Sequence, residues 1–246
     1  MQEVIKVEKL SKSYHGKEVL SDLNLSIQSG TVFGLLGANG AGKSTSIECM
    51  LGTKKADKGT SVILGMDPVA KRKQLFERVG VQFQEANYQN EIKVNELCEE
   101  TAALYHTPAD WKQLLREFGI GDKEKNAVKE LSGGERQRLF IVLALIPSPQ
   151  LVFLDELTTG LDARARRDVW QILEKLKEKG LTIFLTSHFM DEVEALCDEI
   201  CILKHGKTIF HGTVAEAIAA SPYEKFEDTY LWFTDEEKED TNENFS

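Results

Sequence analysis

Residues 32–52 read Val32-Phe33-Gly34-Leu35-Leu36, then Gly37-Ala38-Asn39-Gly40-Ala41-Gly42-Lys43-Ser44, then Thr45-Ser46-Ile47-Glu48-Cys49-Met50-Leu51-Gly52. An apolar run of strand length enters a glycine loop, and a helical stretch leaves it and stops at a glycine. Glycines let successive backbone N–H groups turn inward around an anion. The helix N-terminus behind them adds positive potential. Lys43 supplies a full charge suited to β- and γ-phosphates. The Ser44 hydroxyl suits Mg2+, a hard ion that keeps several of its waters. In this context the spacing predicts a phosphate cradle set in an α/β core.

Upstream of the loop, Leu23, Leu25 and Ile27 alternate with polar residues, as in a half-buried strand. Residues 4–10, 19–27 and 31–36 predict a strand-rich opening punctuated by Gly16 and Gly30. Downstream, residues 94–146 read mostly helical, with Trp111, Leu114, Leu115 and Phe118 on one face. From Pro149 the pattern returns to α/β. Leu151-Val152-Phe153-Leu154 and Leu181-Thr182-Ile183-Phe184-Leu185 read as buried strands. Between them runs a helix stripe of Val169, Ile172, Leu173 and Leu176 that ends at Gly180. Lys204-His205-Gly206-Lys207 reads as a hairpin turn. There is one phosphate loop and no internal repeat. The order predicts a mainly parallel core sheet, an antiparallel N-terminal β layer and a helical insertion.

Two further strings carry chemistry. The buried run 151–154 ends in Asp155-Glu156. An aspartate at the C-terminal end of such a strand can orient Mg2+, usually through water. Strand side chains alternate faces, so Glu156 is expected to point elsewhere, toward a water in line with the γ-phosphate. The second string is Leu131-Ser132-Gly133-Gly134-Glu135-Arg136-Gln137-Arg138. Ser132 and Glu135 fit a capping box, which presents a helix N-terminus to an anion. One chain has no evident way to fold this tip onto its own cradle. The pair suggests an ATPase whose site is completed by another copy. Ser132 is then expected to switch its hydroxyl from its own helix to a phosphate.

Composition bounds the remaining possibilities. The chain has 246 residues, room for one large domain, and a net charge of −10. That charge argues against a primary nucleic-acid binder. Half of it lies in residues 234–246, where six carboxylates face Lys238, so this tail is expected to be disordered. The sequence contains no stretch of about 18 apolar residues, the length needed to span a bilayer, and Met1 leads directly into a strand-like run. Cys49, Cys98, Cys197 and Cys201 are scattered. Cys197 and Cys201, four apart, could share a helix face, but no further ligand joins them. The expectation is reduced, buried thiols and a cytosolic compartment.

Taken in order, these residues resemble the ATP-binding-cassette (ABC) ATPases over residues 1–233. The phosphate loop 37–45 is followed by Gln84, similar to the family's glutamine loop, and by the signature at 131–135. Asp155-Glu156 resembles the Walker B end, Thr159-Gly160-Leu161-Asp162 the D-loop, and Thr186-Ser187-His188 the histidine switch. The resemblance implies a P-loop NTPase core with an α-helical lobe inserted at roughly 86–146. It implies ATP and Mg2+ as cofactors. Phosphates would be bound by Gly37, Ala38, Asn39, Gly40, Ala41, Gly42, Lys43, Ser44 and Thr45, with Tyr14 stacked on adenine. Ser44, Gln84 and Asp155 would place the metal, and Glu156, His188, Gln84 and Lys43 would be catalytic. Ser132, Gly133 and Gly134 would close over the nucleotide of an opposite subunit, with Asp162 coupling the two sites.

The sequence departs from the family at three places, with Ala38 and Leu157 where proline is usual and Glu135 where glutamine is common. The family also implies an integral membrane permease and a second ABC subunit as partners, no nucleic acid, and a peripheral position on the cytoplasmic face of the membrane. Phe83, Tyr88 and the segment to Val94 would form the permease groove. The ending Phe226-Glu227-Asp228-Thr229-Tyr230-Leu231-Trp232-Phe233 is similar to the drug, antibiotic and lipid exporter branch. The alternatives are a solute importer subunit and a non-transport ABC ATPase of translation or chromosome maintenance. A nucleotide-binding regulator without turnover is disfavoured by the presence of Glu156 and His188.

Overall fold

A computed structural model describes residues 2–82, 91–156 and 158–235. Its centre is a six-stranded sheet in the order β5-β6-β7-β3-β8-β9. The strands are β3 (Val32–Gly37), β5 (Val79–Gln82), β6 (Leu151–Asp155), β7 (Thr182–Thr186), β8 (Glu199–Lys204) and β9 (Lys207–Gly212). All neighbours pair in parallel except β9, which returns antiparallel through the turn at His205 and Gly206, both at positive φ. The continuous burial of β3, β6 and β7 follows from their apolar runs, since a parallel sheet is covered on both faces.

Alternation along β6 sorts its side chains between two layers. Leu151 and Phe153 join a core shared with the antiparallel sheet and with α1 (Lys43–Met50). Val152 and Leu154 join a core shared with α3 (Val94–Ala102), α4 (Trp111–Glu117), α5 (Gly133–Leu145) and α6 (Ala163–Glu178). In α4 the expected stripe faces that core: Leu115 and Phe118 are buried, and Trp111 and Leu114 are half-buried against it. A third cluster packs α7 (Met190–Leu196), α8 (Val214–Ala219) and α9 (Phe226–Thr234) against β8 and β9.

The antiparallel layer has the order β2-β1-β4, from β1 (Glu3–Tyr14), β2 (Lys17–Gln28) and β4 (Lys58–Ile63). β4, absent from the sequence reading, pairs along β1 from Ile5 to Ser11. The short α2 (Arg72–Phe76) leads into β5. Cys197 ends α7 while Cys201 lies inside β8, so the two thiols do not share a helix face. All four cysteines are free thiols. Burial pushes the thiols of Cys98 and Cys201 up to about 12. Among the described residues no helix is long and apolar enough to cross a membrane.

β5 and α5 touch through Gly80, where an added Cβ would lie 1.9 Å from the Ala144 carbonyl oxygen. Neither strand nor helix backbone can yield locally. Gly80→Ala is expected to cost roughly 1–3 kcal/mol through overpacking, read as a lower urea midpoint. An unshifted midpoint would show that the helical layer is not seated on β5.

Candidate functional site

The C-terminal edges of β6, β7 and β3 stand side by side. Asp155 pairs with Thr186, and Leu35 with Thr186, in adjacent registers. Beyond β3 the chain turns through residues 37–42 into α1. Gly42 takes φ +106, and a Cβ there would meet the Val19 carbonyl oxygen at 2.7 Å, so glycine is required. The N-terminus of α1 has no side-chain cap and no acidic residue in its first turn. Its first N–H groups therefore remain available to an anion. Side chains cap α4, α5, α6 and α8 (Asp110, Ser132, Asp162 and Thr213), while α2, α3, α7 and α9 share the absence of a side-chain cap with α1.

The loop borders a cleft of about 340 Å³ lined by Val19, Asn39, Gly40, Gly42, Lys43, Ser44, Thr45 and Glu156. Lys43 is buried, and its Nζ donates to the carbonyls of Gly37 at 2.8 Å and Ala38 at 3.2 Å. Burial lowers its pKa, while Glu156 and Asp155 raise it. Ser44 Oγ donates to Asp155 Oδ2 at 3.3 Å. Burial pushes the Asp155 carboxyl above the usual carboxylate range, against hydrogen bonds from Thr186 and Ser44. A hydroxyl and a carboxylate facing each other form an all-oxygen donor pair that fits Mg2+, which takes few protein ligands and retains water.

Thr186, which the sequence reading names in the histidine-switch string without a role of its own, ties the two acidic residues together. Its hydroxyl donates to Asp155 Oδ1 at 2.5 Å and accepts from the Glu156 N–H at 2.9 Å. A threonine at the end of an apolar strand was the available signal. Glu156 diverges from Asp155 by a route other than strand alternation: it takes φ +52, in the left-handed region. Its Oε1 lies 2.7 Å from His188 Nε2.

The other sequence candidates form a second group. Ser132 Oγ accepts from the Glu135 N–H at 3.3 Å, and Glu135 Oε2 accepts from the Ser132 N–H at 2.8 Å. Because the cap uses Ser132 only as an acceptor, its hydroxyl proton remains free to donate, so no switch of partner is demanded. A Cβ on Gly134 would lie 3.5 Å from Leu161, and one on Gly133 3.7 Å from the Gly160 carbonyl oxygen. The signature tip thus adjoins the segment that ends at Asp162, whose carboxylate accepts from the N–H groups of Arg164 and Ala165. Neither Ser132–Gly134 nor Asp162 lines the cleft. Tyr14 ends β1, partly exposed, with the Lys12 and Lys54 ammonium groups 5.3 and 5.8 Å from its ring centroid. Gln84, Phe83, Tyr88 and Leu157 lie outside the described residues, as does the tail from 236.

Fold and cleft together define a glycine-loop, nucleotide-binding α/β cassette. Residues 20–159 match the ABC transporter family, and the chain belongs to it. It is 36% identical over 219 residues to the daunorubicin/doxorubicin resistance ATP-binding protein of Streptomyces peucetius, covering 86% of this chain and 66% of that protein. It is 42% identical over 214 residues to the Nod factor export ATP-binding protein I of Sinorhizobium fredii, covering 85% of this chain and 62% of that one. The chain therefore spans somewhat less than two thirds of these relatives. Among solved structures, the ATP-binding subunit of an ABC transporter superposes with a TM-score of 0.85 at 25% identity, over 94% of this chain and 99% of that chain. A cassette solved in its ADP conformation shares the fold, with a TM-score of 0.79 at 24% identity and coverage of 94% and 99%.

Thr186→Val keeps the shape and removes both hydrogen bonds. The change leaves the buried Asp155 carboxylate and the Glu156 N–H each short of a partner, at an expected cost of about 2 kcal/mol in denaturant unfolding. Thr186→Ser should recover most of it. Equal stability of the valine variant and wild type would remove Thr186 from the role described here.

Proposed function

We propose that the chain is the ATP-hydrolysing cassette of an ABC exporter, working as a pair of cassettes on a separate membrane permease. The observation that carries this reading is the division of the site into two groups. Lys43, Ser44, Asp155, Glu156 and His188 gather at one cleft, while the free-donor tip at Ser132 lies with residues 160–162 outside it. A two-fold pair lets each chain lend its tip to the other's cleft.

In this reading the loop amides of residues 37–45 and the N-terminus of α1 bind the phosphates. Lys43 exchanges its carbonyl partners for phosphate oxygens, a stronger charge-assisted bond. Tyr14 stacks on the adenine. Ser44 and Asp155 would hold Mg2+, which would neutralise charge developing on the phosphates. Glu156 accepts a proton from the attacking water, and the P–O bond to ADP breaks as the water oxygen bonds to phosphorus. His188 orients the Glu156 carboxylate and faces the γ-phosphate. Loss of that phosphate removes contacts made only in the closed pair, so the pair reopens. Asp162 lies beside the tip and couples the two sites. The cassette comprises residues 1–233, with 86–146 as its helical lobe and 234–246 as an acidic tail.

Export is supported by the relatives, one named for drug resistance and one for Nod factor export. The importer and non-transport alternatives have no such support. Such a cassette would sit at the cytoplasmic face of the membrane, held by its permease.

Glu156→Gln is expected to bind ATP, to release phosphate about 10²–10⁴-fold more slowly, and to accumulate dimers visible by light scattering. Full turnover in this variant would overturn the assignment. A strictly monomeric variant, saturated with Mg-ATP beside its permease and any sister cassette, would overturn the paired site. Ser132→Ala should lose about 1 kcal/mol from its helix cap and lose more from the closed dimer, seen as a higher ATP concentration needed for dimerisation. A lower melting temperature with unchanged ATPase would refute that role.

A further inference from the structure

One buried ionisable group has no part in the chemistry above. Glu192, in α7, is fully buried. Its Oε1 accepts from Trp170 Nε1 of α6 at 2.9 Å. Burial pushes its pKa up, and the polar side chains of Ser187, Trp170 and Thr158 beside it pull the other way. Even so, Glu192 Oε2 and Thr158 Oγ1 are both buried without a well-formed hydrogen bond. An acid in such a place is costly and would be replaced by an apolar residue at little loss if packing were its only task.

Its neighbours identify the task. Thr158 is two residues beyond Glu156, and Ser187 is one residue before His188. The two loops that meet at the Glu156–His188 contact of 2.7 Å meet again at the Glu192 carboxyl. Helix α6 backs this second junction. Arg166, one turn before Trp170, lies 4.4 Å over the Phe189 ring and reaches Asp191 at 3.5 Å. Residues 187–192 are thus gripped by the same helix that Asp162 caps.

We propose that Glu192 is a positioning residue for ATP hydrolysis, its carboxyl and the Trp170 indole together setting the spacing between the loop that carries Glu156 and the loop that carries His188. This rests on the function proposed above, and the test separates the two. Glu192→Leu removes the polar junction at similar size. Glu192→Gln keeps an acceptor for Trp170 and adds a donor for Thr158. In the leucine variant kcat should fall about tenfold or more, as misplacement of reacting groups does, while KM for ATP stays within about twofold. Glu192→Gln should recover kcat to within about threefold, and Trp170→Phe should lower kcat at unchanged KM.

The second readout is the His188 side-chain ¹⁵N resonance in nucleotide-free protein, expected to shift in Glu192→Leu and Trp170→Phe and to return in Glu192→Gln. That arm needs no turnover, so an inactive wild type would sink the proposed function and leave the positioning claim still tested. If Glu192→Leu does not fold, Trp170→Phe carries both readouts. Wild-type kcat with an unmoved His188 resonance in a folded variant overturns the inference. A glutamine variant as impaired as the leucine one overturns it too.

Discussion

The Thr186 hydroxyl stands between two acidic residues and serves them in opposite senses, donating a hydrogen bond to the Asp155 carboxylate and accepting one from the N–H of Glu156. Everything at the cleft depends on where that hydroxyl points, and its direction is set by the pairing of Asp155 with Thr186 across β6 and β7. A slip of one residue would turn Thr186 to the other face of the sheet. The aromatic row beneath resists such a slip. Phe184 lies 5.0 Å from Phe153 and 5.4 Å from Phe33, so the three central strands are keyed to one another through their side chains. Apolar packing and site chemistry are therefore one constraint.

That constraint holds three charged groups at one edge of the sheet, against the cost of burying charge. Burial moves Lys43 and Asp155 toward their neutral forms, and each opposes the shift of the other. Lys43 is satisfied by two loop carbonyls, partners that carry no net charge. A polyphosphate offers the lysine an anion and the uncapped α1 terminus an acceptor, without breaking any contact of the core. The cleft is thus pre-organised, and binding need displace only local bonds.

Much of this was legible in the sequence. The loop 37–44, the buried runs before and after it, and the capping box at Ser132 and Glu135 each depend on short-range geometry, which fixed spacing encodes. The strand β4 was not legible, because Lys58-Gly59-Thr60-Ser61-Val62-Ile63 has too few apolar positions to show alternation. Its pairing with β1 comes from tertiary contact instead. The departure of Glu156 into the left-handed region was hidden for a related reason. A glutamate carries no local signal for positive φ, and the turn is held by a hydrogen bond to a residue 30 positions away. Thr186 and Glu192 belong to the same class, since each is informative only once its distant partners are known.

Helix α6 unites the two halves of the site. Its first turn is capped by Asp162, beside the signature tip, and Arg166 and Trp170 on one flank hold the loop that carries His188. A helix of 16 residues does not bend easily between its cap and its second turn. Contact made by a second cassette at residues 160–162 would therefore load the same rigid element that supports His188, and His188 bears on Glu156. On the function proposed above, closing the pair and aligning the base are then mechanically linked. ATP held by one cassette alone would lack part of that alignment, which favours hydrolysis in the closed pair over hydrolysis in the separated chains.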